Sequence, residues 1–111
     1  MWKSPTFAIM ILYNITVIAN NDIKDEFREW TIHVFLPTIA QSELFKSQSL
    51  LKVNDSPNEG ETFCIQIIAK SETEIALFQQ TQLSLLHEKS NDIWLNKIYL
   101  FESKMEYLAM Y

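Results

Sequence analysis

The chain has 111 residues, 48% of them hydrophobic and 21% charged, with nine Lys and Arg against fourteen Asp and Glu and a formal net charge of −5. That length holds one domain with a real core, and one glycine with three prolines leaves no material for a low-complexity segment. A negative average field and basic residues scattered as singletons argue against nucleic acid and against a membrane surface as partners.

Cys64 is the single cysteine, which removes an intramolecular disulfide and a multi-cysteine metal site and makes a reducing cytoplasm the expected location. Met1, Lys3 and the run Phe7 to Ala19 imitate a secretory signal. Tyr13, Asn14 and Thr16 interrupt that run at strand spacing, and cleavage after Ala19 would delete the first strand. The run is also too short to span a bilayer. Asn14, Ile15 and Thr16 form a glycosylation sequon, read as an accidental match inside a buried strand.

Residues 1–9, with Ser4 and Pro5, fit no element and read as an N-terminal extension; the domain is placed at residues 10–108, with a tail over 109–111. Met10 to Ala19 alternates, setting Ile11, Tyr13, Ile15, Val17 and Ala19 on a core face and Met10, Leu12, Asn14, Thr16 and Ile18 on the other. Asn20, Asn21 and Asp22 make a turn and cap, with Asp25 placed for a capping box. The first helix then carries the stripe Ile23, Phe27, Trp30, Val34 and Pro37, its charged residues covering the solvent side. Pro37 has no amide proton for His33, so the helix is expected to kink or restart there and to end near Gln41.

Phe45 to Val53 is a half-polar strand suited to a sheet edge, and Asn54 to Gly60 is a hairpin loop. Glu61 to Lys70 alternates Phe63, Ile65, Ile67 and Ala69 against Thr62, Cys64, Gln66 and Ile68. Ser71 and Glu74 form a capping box that opens a second helix running to about Lys89, with Ile75, Phe78, Gln82, Leu85 and Leu86 toward the sheet. Ser90, Asn91 and Asp92 break it, and the last strand is expected over Ile93 to Glu102, so that Trp94 falls in a strand. A short helix is allowed after it.

Strand, helix, strand, strand, helix, strand is the split βαββαβ order of a ferredoxin-like α+β sandwich, four antiparallel strands with two helices on one face. The other face would hold Met10, Leu12, Ile18, Ile68, Tyr99 and Phe101. A half-apolar uncovered face calls for a partner, and a second copy of the same sheet is the commonest one.

From Met10 to about Leu108 the chain resembles the bacterial family catalogued as domain of unknown function 4286. The resemblance rests on MILYNITV from Met10, EFREW through Leu36 and Pro37, LFKSQSLLKV from Leu44 and EGETFCIQIIAKS from Glu59. It implies a ferredoxin-like fold similar to dimeric α/β barrels and carries no established activity. In the family's pattern a His precedes the Ile-Pro pair, a Gly precedes the strand and another His closes the second helix. Phe35, Glu43 and about Ser90 stand at those positions here, and Glu102 stands near a family arginine. Histidine chemistry and an anion site there do not carry over.

His33 and His87 are the two histidines, each on an expected helix and without a second ligand at a metal spacing. Glu29 lies four residues before His33, the spacing of a surface contact. Cys64 reads as a small buried hydrophobe. By fold analogy, haem-degrading and cofactor-free monooxygenases of the dimeric-barrel type use an Asn on the first strand with a Trp and a His on the second helix. Asn14 and His87 match two of the three, but Phe78 is the only aromatic of that helix. RNA-recognition domains share the topology, yet Glu59, Gly60, Glu61, Thr62 and Phe63 put acids where basic and aromatic groups are needed.

The expectation is therefore a small homodimeric protein without catalytic residue, metal or cofactor, acting through a partner or a small apolar ligand. Asn14, Gln66, Tyr99 and His87 are the candidate ligand-binding residues. The competing expectation is a barrel-type monooxygenase or isomerase using the same four.

Overall fold

A computed structural model describes residues 10–111; the expected extension over residues 1–9 lies outside them. The chain runs β1 (Ile11–Ala19), α1 (Lys24–Trp30), a π-helical turn (Thr31–Phe35), α2 (Leu36–Gln41), β2 (Ser47–Lys52), β3 (Glu61–Ala69), α3 (Glu72–Gln80), α4 (Leu83–Ser90) and β4 (Ile98–Glu106). The strands form one antiparallel sheet in the order β2-β3-β1-β4. It is an α+β fold. Where two continuous helices were expected, each is divided into segments.

β1 is hydrogen-bonded on both sides, pairing Ile15 with Ile65 of β3 and with Glu102 of β4. Its odd-numbered residues Ile11 to Ala19 are all buried, as the alternation predicts. They share one core with Phe27, Phe35 and Ile39 of the first helical stretch, Ile75, Phe78, Leu83 and Leu86 of the second, and Phe63, Ile65, Ile67 and Trp94. Half-polar β2 lies at an edge, as its composition predicts, although it begins two residues later than expected.

The first helical stretch departs from its expected stripe. Phe35 is fully buried, whereas Val34 is 47% exposed. Eight residues of α-helix from Phe27 turn through about 800°, some 80° beyond the starting face. The wider π-helical turn takes up that excess: Leu36 N–H donates to the carbonyl of Thr31, five residues back, and Phe35 and Ile39 return to the sheet. Pro37 follows in the first turn of α2, where its missing N–H is tolerated. The Thr38 hydroxyl donates to the Val34 carbonyl at 2.7 Å beside it.

The expected cap at Asp22 is not made. Ile23 occupies the N-cap position of α1 without a side-chain hydrogen bond, and Asp22 instead takes the Lys97 ammonium at 2.7 Å. That bond holds the Asp22 carboxyl below its ordinary range. Ser71 does cap α3, accepting from Glu74 N–H at 3.3 Å, while the Glu74 carboxylate accepts from Lys70 N–H at 2.8 Å. The second stretch breaks at Thr81, whose hydroxyl turns back to the Leu77 carbonyl at 2.6 Å. Past the break Leu83 and Leu86 are buried, and Gln82 and Leu85 are half-buried.

β4 starts at Ile98 rather than Ile93. Residues 91–97 are turns that drop Trp94 into the core at 1% exposure, against Phe27 and Trp30, so Trp94 is not a strand residue. A large aromatic gains more from that pocket than from a place in the sheet. The tail after Glu106 has no regular structure.

Gly60 closes the β2–β3 loop at φ +80°, and a Cβ there would stand 2.1 Å from the Ala19 carbonyl oxygen. Gly60→Ala is expected to lower stability by about 2 kcal/mol or more in urea denaturation, through the left-handed conformation and the backbone clash. The π-helical phase shift predicts that Phe35→Ala costs about 3–5 kcal/mol and Val34→Ala less than about 1 kcal/mol by the same measurement. The reverse order would restore the uninterrupted stripe.

Candidate functional site: the uncovered sheet face

Because partnered residues in a sheet point to the same side, the register defines four rows across the face turned away from the helices. Ser47, Ile68, Leu12 and Met105 form one row, followed by Ser49, Gln66, Asn14 and Ser103. Leu51, Cys64, Thr16 and Phe101 form the third, and Thr62, Ile18 and Tyr99 the fourth. None of these residues is charged, in a chain with twenty-three charged side chains (nine basic and fourteen acidic). Tyr99 and Phe101 are each 57% exposed, and Leu51 and Met105 each 44%.

A polar thread crosses this face. Gln66 Nε2 donates to Asn14 Oδ1 at 3.2 Å, and Asn14 Nδ2 donates to Thr16 Oγ1 at 3.0 Å. Thr16 Oγ1 lies 3.8 Å from Cys64 Sγ. Asn14 is 7% exposed although no helix of the described residues lies over it, and its amide spends its hydrogen bonds on Gln66 and Thr16. Such a row can bind a neutral polar group or meet another copy of itself; it offers no general base.

Of the four candidate residues, Asn14 and Gln66 are brought into direct contact, and Tyr99 stands on the same face two rows away. His87 is not brought to them. It is exposed on α4, whose Leu83 and Leu86 pack on the opposite side of the sheet. Helical spacing turned Leu86 inward, and the side chain after it points to solvent. His33 pairs with Glu29 at 3.3 Å on the surface, the contact expected from their spacing. Among the described residues no group of three or more His, Cys, Asp and Glu side chains is set to hold a metal, and no helix is long and apolar enough to cross a membrane.

Two polar arrangements lie outside this face and were not legible in the sequence. Lys24, Arg28 and Lys52, scattered along the chain, converge on Glu61 at 3.9, 3.5 and 3.3 Å and tie α1, β2 and β3 together. On the helix side, the Tyr13 hydroxyl donates to the Glu102 carboxylate, which also accepts from Gln79 Nε2 at 3.4 Å. Glu102 therefore holds a buried phenol.

The family model described as Domain of unknown function (DUF4286) matches residues 10–108. The chain belongs to that family. Among curated proteins none matches it by sequence. Solved structures of similar fold include a conserved protein of unknown function from Bacteroides thetaiotaomicron VPI-5482, described as a possible oxidoreductase, with a TM-score of 0.67 and 13% identity over 89% of this chain and 98% of that one. A dimeric ferredoxin-like protein from an uncultured marine organism has a TM-score of 0.60 and 11% identity over 92% and 97%. An ethyl tert-butyl ether D family protein from Bacillus halodurans C-125 has a TM-score of 0.60 and 9% identity over 84% and 96%. At these identities the likeness is one of fold.

Burial, followed by the bond to Glu102, pushes the Tyr13 phenol well above its ordinary pKa of 10.0. A group raised by folding stabilises fully below its unfolded pKa and loses that contribution as pH rises through the window above 10. Chemical denaturation from pH 8 to 11 is expected to show stability falling toward the alkaline end in the native chain, with a smaller fall in Tyr13→Phe. Equal slopes would remove Tyr13 as the alkaline-sensitive group.

Proposed function

We propose that this chain is a ferredoxin-like, non-catalytic binding protein that works as a homodimer, two copies meeting through their uncovered sheet faces. The observation that carries the reading is the absence of charge from all four rows of that face. Two molecules with a net charge of −5 repel one another across most of their surface. A face of Tyr99, Phe101, Leu51, Met105 and neutral polar groups is where that repulsion is weakest and the apolar gain largest. Self-pairing also suits the polar row, since two copies of Ser49, Gln66, Asn14 and Ser103 present donors and acceptors to each other. The similar marine protein described as dimeric supports self-association.

In this reading Asn14, Gln66 and Tyr99 line the space between the sheets and give a small, mostly apolar ligand its polar contacts. His87 stands on the helix layer, so the role assigned to it in the enzymatic alternative has no counterpart on this face. Cytoplasmic residence fits the lone thiol of Cys64.

Light scattering on the purified chain tests the proposal. A dimer is expected at micromolar concentration, and Phe101→Asp, which buries a charge against its symmetry partner, is expected to give a folded monomer with an unchanged far-ultraviolet spectrum. A native chain that stays monomeric across the concentration range would sink the reading.

A further inference from the structure

β2 is bonded to β3 along one side and ends the sheet on the other. Val53 N–H donates to the Thr62 carbonyl at 2.8 Å, and the register steps from there through Leu51 with Cys64 and Ser49 with Gln66, so these residues direct their backbone groups at β3. In an antiparallel ladder the alternate residues face the opposite way. The N–H and C=O groups of Gln48, Leu50 and Lys52 therefore point out of the sheet, where no strand of the described residues pairs with them.

Along that edge runs a groove of about 230 Å³ between β2 and the first helical stretch, lined by Arg28, Ile32, Leu50, Leu51, Lys52 and Phe63. Ile32 and Leu51 are 42% and 44% exposed, and the polar members of the lining are both cations. Arg28 and Lys52 share the Glu61 carboxylate with Lys24, at 3.5, 3.3 and 3.9 Å. These separations are longer than the roughly 2.7–2.9 Å of a charge-assisted hydrogen bond. Three positive charges against one negative leave a local excess of two, in a chain whose net charge is −5. From Leu44 to Val53 the chain has Lys46 and Lys52 and no acid, whereas β4, the other edge, carries Glu102 and Glu106 beside Lys104. Lysines on an edge deter a neutral or basic strand. A strand bearing carboxylates meets the same lysines as counter-charges.

We propose that the β2 edge takes up an extended acidic segment of a partner protein as a fifth strand. The added backbone bonds to Leu50 and Lys52, its carboxylates face Arg28 and Lys52, and an apolar side chain enters the groove at Ile32 and Leu51. Backbone pairing supplies the affinity and the cations select the sign of the partner. Of the uncovered face the site uses Leu51 alone, and it lies across the sheet from Tyr99 and Phe101.

Amide hydrogen exchange of the full chain, read by NMR, tests this with a blocked peptide of alternating Glu and Val and with its Gln-for-Glu counterpart. The acidic peptide is expected to bind saturably and to slow exchange at Gln48, Leu50 and Lys52 by about tenfold or more, while Ser49 and Leu51, already bonded to β3, change little. Several-fold weaker binding is expected for the neutral peptide, and for the acidic one in Arg28→Gln and in Lys52→Gln, with Lys104→Gln on the other edge leaving it unchanged. No saturable binding, equal affinity for the two peptides, or binding without protection of Leu50 and Lys52 would overturn the inference. Protection that appears without peptide and grows with protein concentration would assign the edge to a second copy and overturn it as well. In Phe101→Asp the peptide response is expected to persist, which upholds the edge site whether or not the homodimer forms; its loss there would count against the site.

Discussion

The alternation of β1 is the constraint on which the rest of the molecule depends. β1 is paired along its length with β3 on one side and β4 on the other, so one pleat sets the facing of three strands at once. Ile11, Tyr13, Ile15, Val17 and Ala19 oblige the helices to lie on one side, while Asn14, Thr16 and their partners are left on the other. A slip of one residue would bury Asn14 and Thr16 under the helices and expose Tyr13 and Ile15. The core and the uncharged face are therefore two consequences of one register.

The helical layer adapts to that fixed sheet. Phe27, Phe35 and Ile39 all reach the core only because the chain underwinds between Thr31 and Phe35. Pro37 contributes by lacking the amide that a regular helix would send back to His33. The break at Thr81 does the same service for Leu83 and Leu86. Trp94, dropped in from a turn, fills the end of the layer between Phe27 and Trp30. Aromatic contacts among Trp30, Phe35, Phe78 and Tyr13 link these adjustments into one packed body.

Polar chemistry in this chain is distributed by the same logic. Glu61 collects three cations because β3 starts beside α1 and the end of β2. Glu102 accepts from Tyr13 because β1 and β4 place them on neighbouring strands of the helix side. The uncovered face receives the amides and hydroxyls, whose hydrogen bonds run along the sheet and leave it neutral. No charged side chain stands in its four rows.

The sequence by itself determined the strands with strict alternation, β1 and β3, the capping of α3 by Ser71, the edge character of β2 and the family to which the chain belongs. It also placed Asn14, Gln66 and Tyr99 on one face, because a period of two is a local property that no later packing can change without unpairing the sheet. What lay beyond it were features set by competition between elements. Val34 and Phe35 are both apolar and adjacent, and only the fit of a whole helix against β1 and β3 decided which was buried. Asp22 is a good cap until Lys97 comes within 2.7 Å. Trp94 reads as a strand residue until a cavity beside Phe27 claims it, and His87 belongs to the candidate residues only until the sheet separates it from them. Tertiary structure decided these because burial is shared among residues distant in the chain, whereas periodicity records what each segment favours alone.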